Sequence, residues 1–401
     1  MSNSLFSNEQ VPLELLKQRA FNFRWAETEK EIIPLTAADP DFAVATEIRD
    51  AISNYAQSGV YSYGPHQGLP QFKQTLSDAF ALRKDYRIDP QNILPIDSAA
   101  SGMYSIARAI LSPGDEAIIF DPVDFLFEQS VSAAGAKVVR CPYDKATGEF
   151  RLDLLPNLVS EKTKLIGVCN PHNPLGRLIS RNELETIAHF ANENDLWIMN
   201  DEIWSDIVFP EKPFQSFHHL PPELTKNVIT VYGFSKAFGL AGLRVGAVIA
   251  PNNEVYQKIV DAAYVMTTAG GVSTLSQIAA ICALEKCWYW VDEFKNHLTR
   301  LRDYAVERLN QFPGVTCSVP EATYLLFPNI EATGLDAEAV VEKLLENKVA
   351  VVPGNERFFG PGAKGHIRIC FATSFEILAA GLDRMEQAFK EIDNNSKSGA
   401  E

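Results

Sequence analysis

Between residues 90 and 250 the sequence alternates short, apolar, β-prone runs with segments of helical length. That alternation restricts the fold more than any other feature of the chain. The runs are Ala117–Phe120, Lys137–Pro142, Lys164–Cys169, Leu196–Asn200, Val228–Phe234 and Arg244–Ala250. Between most of them lie stretches with helical spacing, such as Ser101–Leu111, Phe125–Ala134 and Arg181–Asn194. Apolar strands separated by helices pair in parallel, and right-handed crossovers put the helices on both faces of the sheet. The reading for this region is therefore an α/β domain.

The flanks read differently. Pro12–Arg19, Ile48–Gln57 and Leu69–Arg83 have helical spacing, with an aromatic, glycine-containing loop, Tyr61–Gly68, between the last two. From Ser273 to Asn310 the helical pattern is nearly continuous, too long for one ordinary helix without a bend. It reads as a bridge into a second, α+β domain. There, strands are expected at Thr316–Val319, Tyr324–Phe327 and His366–Phe371, and helices at Asp336–Asn347 and Ser374–Ile392. A chain of 401 residues is also longer than one core usually serves. The polar segment Asp393–Glu401 reads as a frayed, flexible tail.

A net charge of −15 argues against nucleic acid or an anionic membrane as partner, since both require a basic face. The first residues show no basic start followed by an apolar core, and no apolar run is long enough to span a bilayer. The six cysteines are scattered without a Cys-x-x-Cys pair, which fits buried thiols in a reducing cytoplasm.

Several strand ends carry residues suited to chemistry. Ser235-Lys236 closes the apolar run Val228–Phe234, with Arg244 eight residues after the lysine. A lysine amine buried against apolar neighbours loses its proton more easily and can form a Schiff base with an aldehyde. Arg244 offers a planar fork suited to phosphate. Most Ser-Lys pairs are nevertheless solvated surface. Asn170-Pro171-His172-Asn173-Pro174-Leu175-Gly176 follows Lys164–Cys169, where ligands of open α/β sheets bind, and the Asn173 amide there can donate to an anionic oxygen. The plainer reading is a turn. Asp201 closes Leu196–Asn200; it is either a helix cap or a carboxylate that keeps a ring nitrogen protonated. Ser98-Ala99-Ala100-Ser101-Gly102 begins a helix, either as a simple cap or as a phosphate cradle. Arg368 lies on an apolar strand and wants a carboxylate, from the protein or from a substrate.

Taken together, Asn173-Pro174-x-Gly176, Asp201, Ser235-Lys236, Arg244, Pro113-Gly114-Asp115-Glu116, Tyr63 five residues before Gly68, and Arg368 resemble the fold type I, class I/II aminotransferases that use pyridoxal 5′-phosphate. The resemblance runs from about Ala38 to Phe371. It implies an α/β large domain (residues 46–290) with a mostly parallel, seven-stranded type of sheet flanked by helices on both faces. The smaller α+β domain is built from both termini (1–45 and 291–392). It further implies that Lys236 binds the cofactor aldehyde and moves the substrate proton, Asp201 pairs with the pyridine nitrogen, and Asn173 donates to the ring oxygen. Ala99, Ala100, Ser235 and Arg244 would hold the phosphate, Arg368 the substrate carboxylate, and Ala38 would touch substrate. Tyr63 would reach the phosphate of a neighbouring subunit, implying a homodimer with shared sites.

Three positions depart from that family's pattern. Trp204 stands where a tyrosine usually donates to the ring oxygen; either its indole substitutes or it is packing, and losing a donor raises the imine pKa. Asp124 occupies the position of a ring-stacking aromatic, so that Phe125 either takes the role or stacking is absent. Ser98 and Leu175 replace a glycine and a threonine. His66 and His172 read as loop contacts or entrance residues, Glu202 and Asp206 as a solvated face, and Trp288–Trp290 as interdomain core. The implied reaction is amino-group transfer from an L-amino acid to a 2-oxo acid. The alternatives are a carbon–sulfur β-lyase of the same fold and a catalytically silent scaffold, against which the joint presence of these residues argues.

Overall fold

The computed structural model describes residues 4–145 and 147–398. After the short helix Leu13–Arg19 comes a two-residue strand, β1 (Ile33–Pro34); helices Thr46–Gln57 and Pro70–Arg83 then lead into a large sheet. Its strands are β2 (Ile93–Ile96), β3 (Glu116–Asp121), β4 (Lys137–Asp144), β5 (Glu149–Phe150), β6 (Thr163–Cys169), β7 (Trp197–Asp201), β8 (Val228–Gly233) and β9 (Gly246–Ile249). They lie in the order β2-β9-β8-β7-β6-β3-β4-β5. The five strands from β8 to β4 in that order are parallel, whereas β9, β2 and β5 pair antiparallel with their neighbours. The sheet thus has eight strands, one more than the resemblance implied. The extra member is the short edge strand β5. Strand β2 carries Pro95, tolerable because β2 is also an edge and donates to β9 alone.

Side chains alternate across each strand, which gives the sheet two cores. Ile119, Leu165, Met199 and Val231 meet Met103, Ile106, Phe127 and Val131 of helices Ala99–Ile110 and Leu126–Ala133 on one face. Ile118, Ile166 and Ile198 meet Leu184 and Ile187 of helix Arg181–Glu193 on the other. Each fully buried side chain of this kind contributes about 1.5–3 kcal/mol. Gly102 lets helix Ala99–Ile110 lie close to the sheet, because a Cβ there would stand 3.0 Å from Val248 and 3.2 Å from Val231.

Two small sheets complete the fold. Strands β10 (Leu325–Leu326), β12 (Val352–Gly354) and β13 (His366–Cys370) pair antiparallel in the order β10-β13-β12, and β1 pairs in parallel with β11 (Val349–Ala350). The expected strand Thr316–Val319 forms only a single bridge, Thr316 to Asn329: Val319 points to solvent and Pro320 ends the run. The long helical pattern is broken at Cys287 into helices Thr274–Lys286 and Trp288–Leu309. Trp290 is core against Phe6 and Phe294, but Tyr289 is exposed and donates to Glu47. The last helix runs from Phe375 to Ser398, so the tail is helical further than its polarity suggested, and Lys397 pairs with Asp393 at 2.6 Å one turn away. Residues 399–401 lie outside the described residues. All six cysteines are free and buried.

Candidate active site

The carboxyl ends of β3, β6, β7 and β8 converge, as the parallel topology requires, and each is followed by a segment that turns a side chain over the sheet. A cavity of about 290 Å³ lies there. Ala38, Ala99, Ala100, Phe125, Asn173, Asp201, Trp204, Ser235, Lys236, Arg244 and Arg368 all line it. Tyr63 does not: it is 91% exposed and sits on the rim of a separate surface cavity.

Lys236 reaches across the cavity and donates from Nζ to the carbonyl oxygen of Ala38 at 2.6 Å. Burial pulls its pKa below the usual lysine value; the Arg368 charge acts in the same direction, and the Asp39 and Asp124 carboxylates oppose it. The segment bearing Ala38 is fixed from behind by Asp41, which accepts from the buried Arg24 guanidinium and from Trp25 Nε1. Tyr324, on the segment before β10, donates its hydroxyl to the same Ala38 oxygen at 3.2 Å. Sequence reasoning passed over Tyr324, because only the fold brings it to Ala38.

Asp201 is buried at the end of β7, where Oδ1 accepts from the Ile203 N–H at 3.0 Å. Burial pushes its pKa up to about 7, against that hydrogen bond and the Lys236 charge. A cation brought next to Asp201 would hold it ionised. Trp204 packs edge-on to the Tyr324 ring at 4.6 Å, and the Lys236 amine lies 5.4 Å from its ring centre, so this indole is a wall of the cavity.

The start of helix Ala99–Ile110 is capped by Ser98, whose Oγ accepts from the Ser101 N–H at 3.0 Å. The N–H groups of Ala99 and Ala100 belong to the first turn, where the helix itself supplies no acceptor. Arg244, in left-handed backbone (φ 52°) after the turn Ala241–Leu243, and Ser235 line the same cavity. These are donors suited to a phosphate.

Asp124 and Phe125 part company. The Asp124 carboxylate turns inward and accepts from Asn173 Nδ2 at 2.8 Å and from the Leu126 N–H at 3.1 Å. Phe125 lines the cavity and meets the Phe358 ring edge-on at 6.4 Å. Arg368 donates from Nη1 to Asn173 Oδ1 and from Nη2 to the Thr36 carbonyl, each at 3.3 Å, while its buried Nε has no hydrogen-bond partner. A buried guanidinium with an unmatched N–H is a receptor for a carboxylate.

Other readings are corrected. Glu202 and Asp206 are not a solvated face. Glu202 accepts from Asn200, Ser216 and Tyr86, and Asp206 pairs with the buried Lys84 at 2.8 Å and accepts from the Tyr232 hydroxyl at 2.6 Å. His172 is fully buried against Phe150, away from any entrance, and burial with the Arg177 charge brings its pKa down to about 3. His66 is exposed on the rim of the second cavity.

The family model for aminotransferase class I and II matches residues 30–384. The chain belongs to the class I and II aminotransferases. It is 33% identical to an aspartate aminotransferase of Pyrococcus abyssi, over 90% of this chain and 92% of that protein. Among solved structures, an aromatic aminotransferase of Pyrococcus horikoshii OT3 superposes with a TM-score of 0.84 at 30% identity, covering 91% of this chain and 98% of that one. A putative aminotransferase of Clostridium difficile 630 with bound pyridoxal phosphate superposes with a TM-score of 0.87 at 26% identity, covering 93% and 97%. The protein is thus a pyridoxal-phosphate-dependent aminotransferase acting on an amino acid and a 2-oxo acid, and the lyase reading has no better support. The donor set of the cavity fits the cofactor: a buried amine with a lowered pKa, a buried carboxylate, and phosphate donors at a helix start. Among the described residues no helix is long and apolar enough to cross a membrane.

Proposed function

We propose that Lys236 is the amine that joins the cofactor, that Asp201 faces the pyridine nitrogen, and that Asn173 donates to the ring oxygen. Ala99, Ala100, Ser235 and Arg244 take the phosphate, and Arg368 takes the α-carboxylate of the substrate beside Ala38. Bound there, pyridoxal phosphate supplies an aldehyde and an electron-poor ring that accepts the electrons freed when Cα loses its proton. The chain's own part is positional and acid–base. Arg368 fixes the carboxylate, which turns the Cα hydrogen toward the lysine. Lys236, whose pKa burial lowers, is the amine placed to take that proton and return it. The observation that carries this reading is the Lys236 amine, held 2.6 Å from Ala38 in the cavity that Asp201 and Arg368 share. Borohydride reduction of the loaded protein, followed by peptide mapping, should place the label on Lys236; label elsewhere, or none, overturns it.

The same reading divides the chain into residues 46–290 and a small domain of 1–45 with 291–392. It also takes the protein to be a cytoplasmic homodimer. Six unpaired, buried cysteines support a reducing compartment. The exposed cluster Val60, Tyr61, Tyr63 and Met266 supports a partner surface from which Tyr63 reaches the phosphate in the other subunit. Weakened cofactor retention in Tyr63→Phe, with the dimer intact by sedimentation, is the expected result.

A further inference from the structure

Asp124, at the position where the resemblance implied a ring-stacking aromatic, is held from two sides. Both oxygens of Asp124 are engaged as acceptors, Oδ1 by the Leu126 N–H and Oδ2 by Asn173 Nδ2. The other end of the same amide, Asn173 Oδ1, accepts from Arg368. A carboxylate can only accept and a guanidinium can only donate, so the amide has one permitted orientation. Turned over, it would set oxygen against carboxylate and NH₂ against guanidinium. Helix start, strand end and small-sheet arginine are thereby joined in one line, Asp124–Asn173–Arg368.

We propose that Asp124 is a positioning residue of the transamination site: as an anion it locks the Asn173 amide and offsets the charge of Arg368 and Lys236. This rests on the assignment of Lys236 to the cofactor and Arg368 to the substrate carboxylate. The charged and titratable groups that face Asp124 are Arg368, Lys236, Asp201 and Cys169; those facing Lys236 include also Asp39 and Cys370. Burial raises the pKa of Asp124, and the Leu126 N–H, the Arg368 and Lys236 charges and the Asn173 amide hold it down. An anion there favours the protonated form of whatever nitrogen Lys236 carries. It also weakens the pull of Arg368 on an incoming carboxylate and so eases product release.

The test uses the pyridoxal-phosphate holoenzyme and two variants. Asp124→Asn keeps the shape and removes the charge; Asp124→Ala removes both charge and acceptor. In both, the midpoint of the pH titration of the lysine–cofactor absorption band should fall by about one unit, the usual scale for a lost neighbouring counter-charge. Propionate, a simple monocarboxylate probe, should bind several-fold more tightly, and KM for the amino acid should fall. Only Asp124→Ala should lose a further several-fold in kcat, because Asn173 is then unanchored. An unmoved midpoint together with unchanged propionate affinity, in variants whose circular dichroism matches the parent, overturns the proposal. A parent holoenzyme without such a band, or a band that survives Lys236→Ala, instead overturns the assignment of Lys236.

Discussion

Lys236 and Tyr324 donate to one acceptor, the carbonyl oxygen of Ala38, at 2.6 and 3.2 Å. The lysine arrives from the end of β8 and the tyrosine from the segment before β10, so this single oxygen ties the large sheet to the small one. Burial raises the Tyr324 pKa well above its ordinary value, which keeps the hydroxyl a neutral donor throughout the working range.

Tyr324→Phe removes that donor and leaves the ring packed on Trp204. In the cofactor-free protein the carbonyl retains Lys236, so no orphaned acceptor results there. The expected loss is about 1 kcal/mol of stability by urea denaturation, with kcat reduced less than about tenfold. A loss of several orders of magnitude in kcat would mean that Tyr324 itself takes part in proton transfer.

The polar cluster behind the site makes a larger prediction. Lys84 and Asp206 are an ion pair whose side chains are only 3% and 5% exposed. Removing one member of such a pair leaves a buried charge without compensation, at a cost of about 3–5 kcal/mol. Lys84→Met should therefore be strongly destabilised in chemical denaturation, and Lys84→Met/Asp206→Leu should recover most of the loss. A single variant as stable as the parent would show that the pair contributes nothing.

These two positions also show what the sequence carried and what it withheld. The parallel core was legible because β3, β6, β7 and β8 are each largely apolar and buried, a pattern that two-sided burial imposes, and β4 beside them still shows a short apolar stretch between its charged residues. The site was legible where its residues close those runs, as Asp201, Ser235 and Lys236 do. Glu202 and Asp206 were misjudged because their partners Lys84, Tyr86 and Ser216 are remote in sequence, and a charge next to a strand end looks solvated until those partners are placed. Strand β2 was hidden by Pro95, and Asp124 stayed ambiguous because its partner Asn173 follows a different strand, β6.

Asp201 gives the apoprotein a pH dependence whose sign follows from its raised pKa. The unfolded carboxyl ionises near its ordinary value of 3.8, whereas the folded one keeps its proton up to about 7. The folded state thus binds more protons between those values, and stability falls as pH rises through that window, remaining reduced above it. A shift of this size corresponds to at most about 4 kcal/mol. Asp201→Asn should raise the apoprotein's melting temperature at pH 8 relative to pH 5 and should weaken retention of pyridoxal phosphate. Identical pH–stability curves for parent and variant would show that Asp201 is ionised in the empty site.

The charge pattern of the cavity also predicts the kind of amino donor. The cations lining it are Lys236, Arg244 and Arg368. On the assignments made above, the first joins the cofactor, the second lies at its phosphate, and only Arg368 remains for substrate. Asp124 acts electrostatically on Arg368, and Asp39 and Asp124 both act on Lys236 beside it. A second carboxylate on the substrate side chain would therefore meet negative charge from this subunit. In single-turnover reactions of the loaded enzyme, phenylalanine, leucine or methionine should react at least about tenfold more efficiently than aspartate, equivalent to about 1.4 kcal/mol of discrimination. Raised ionic strength should narrow the gap by screening the repulsion. Aspartate reacting as fast as the neutral amino acids, with a rate that falls on substitution of a partner-surface cation, would show instead that the second carboxylate is received across the subunit interface.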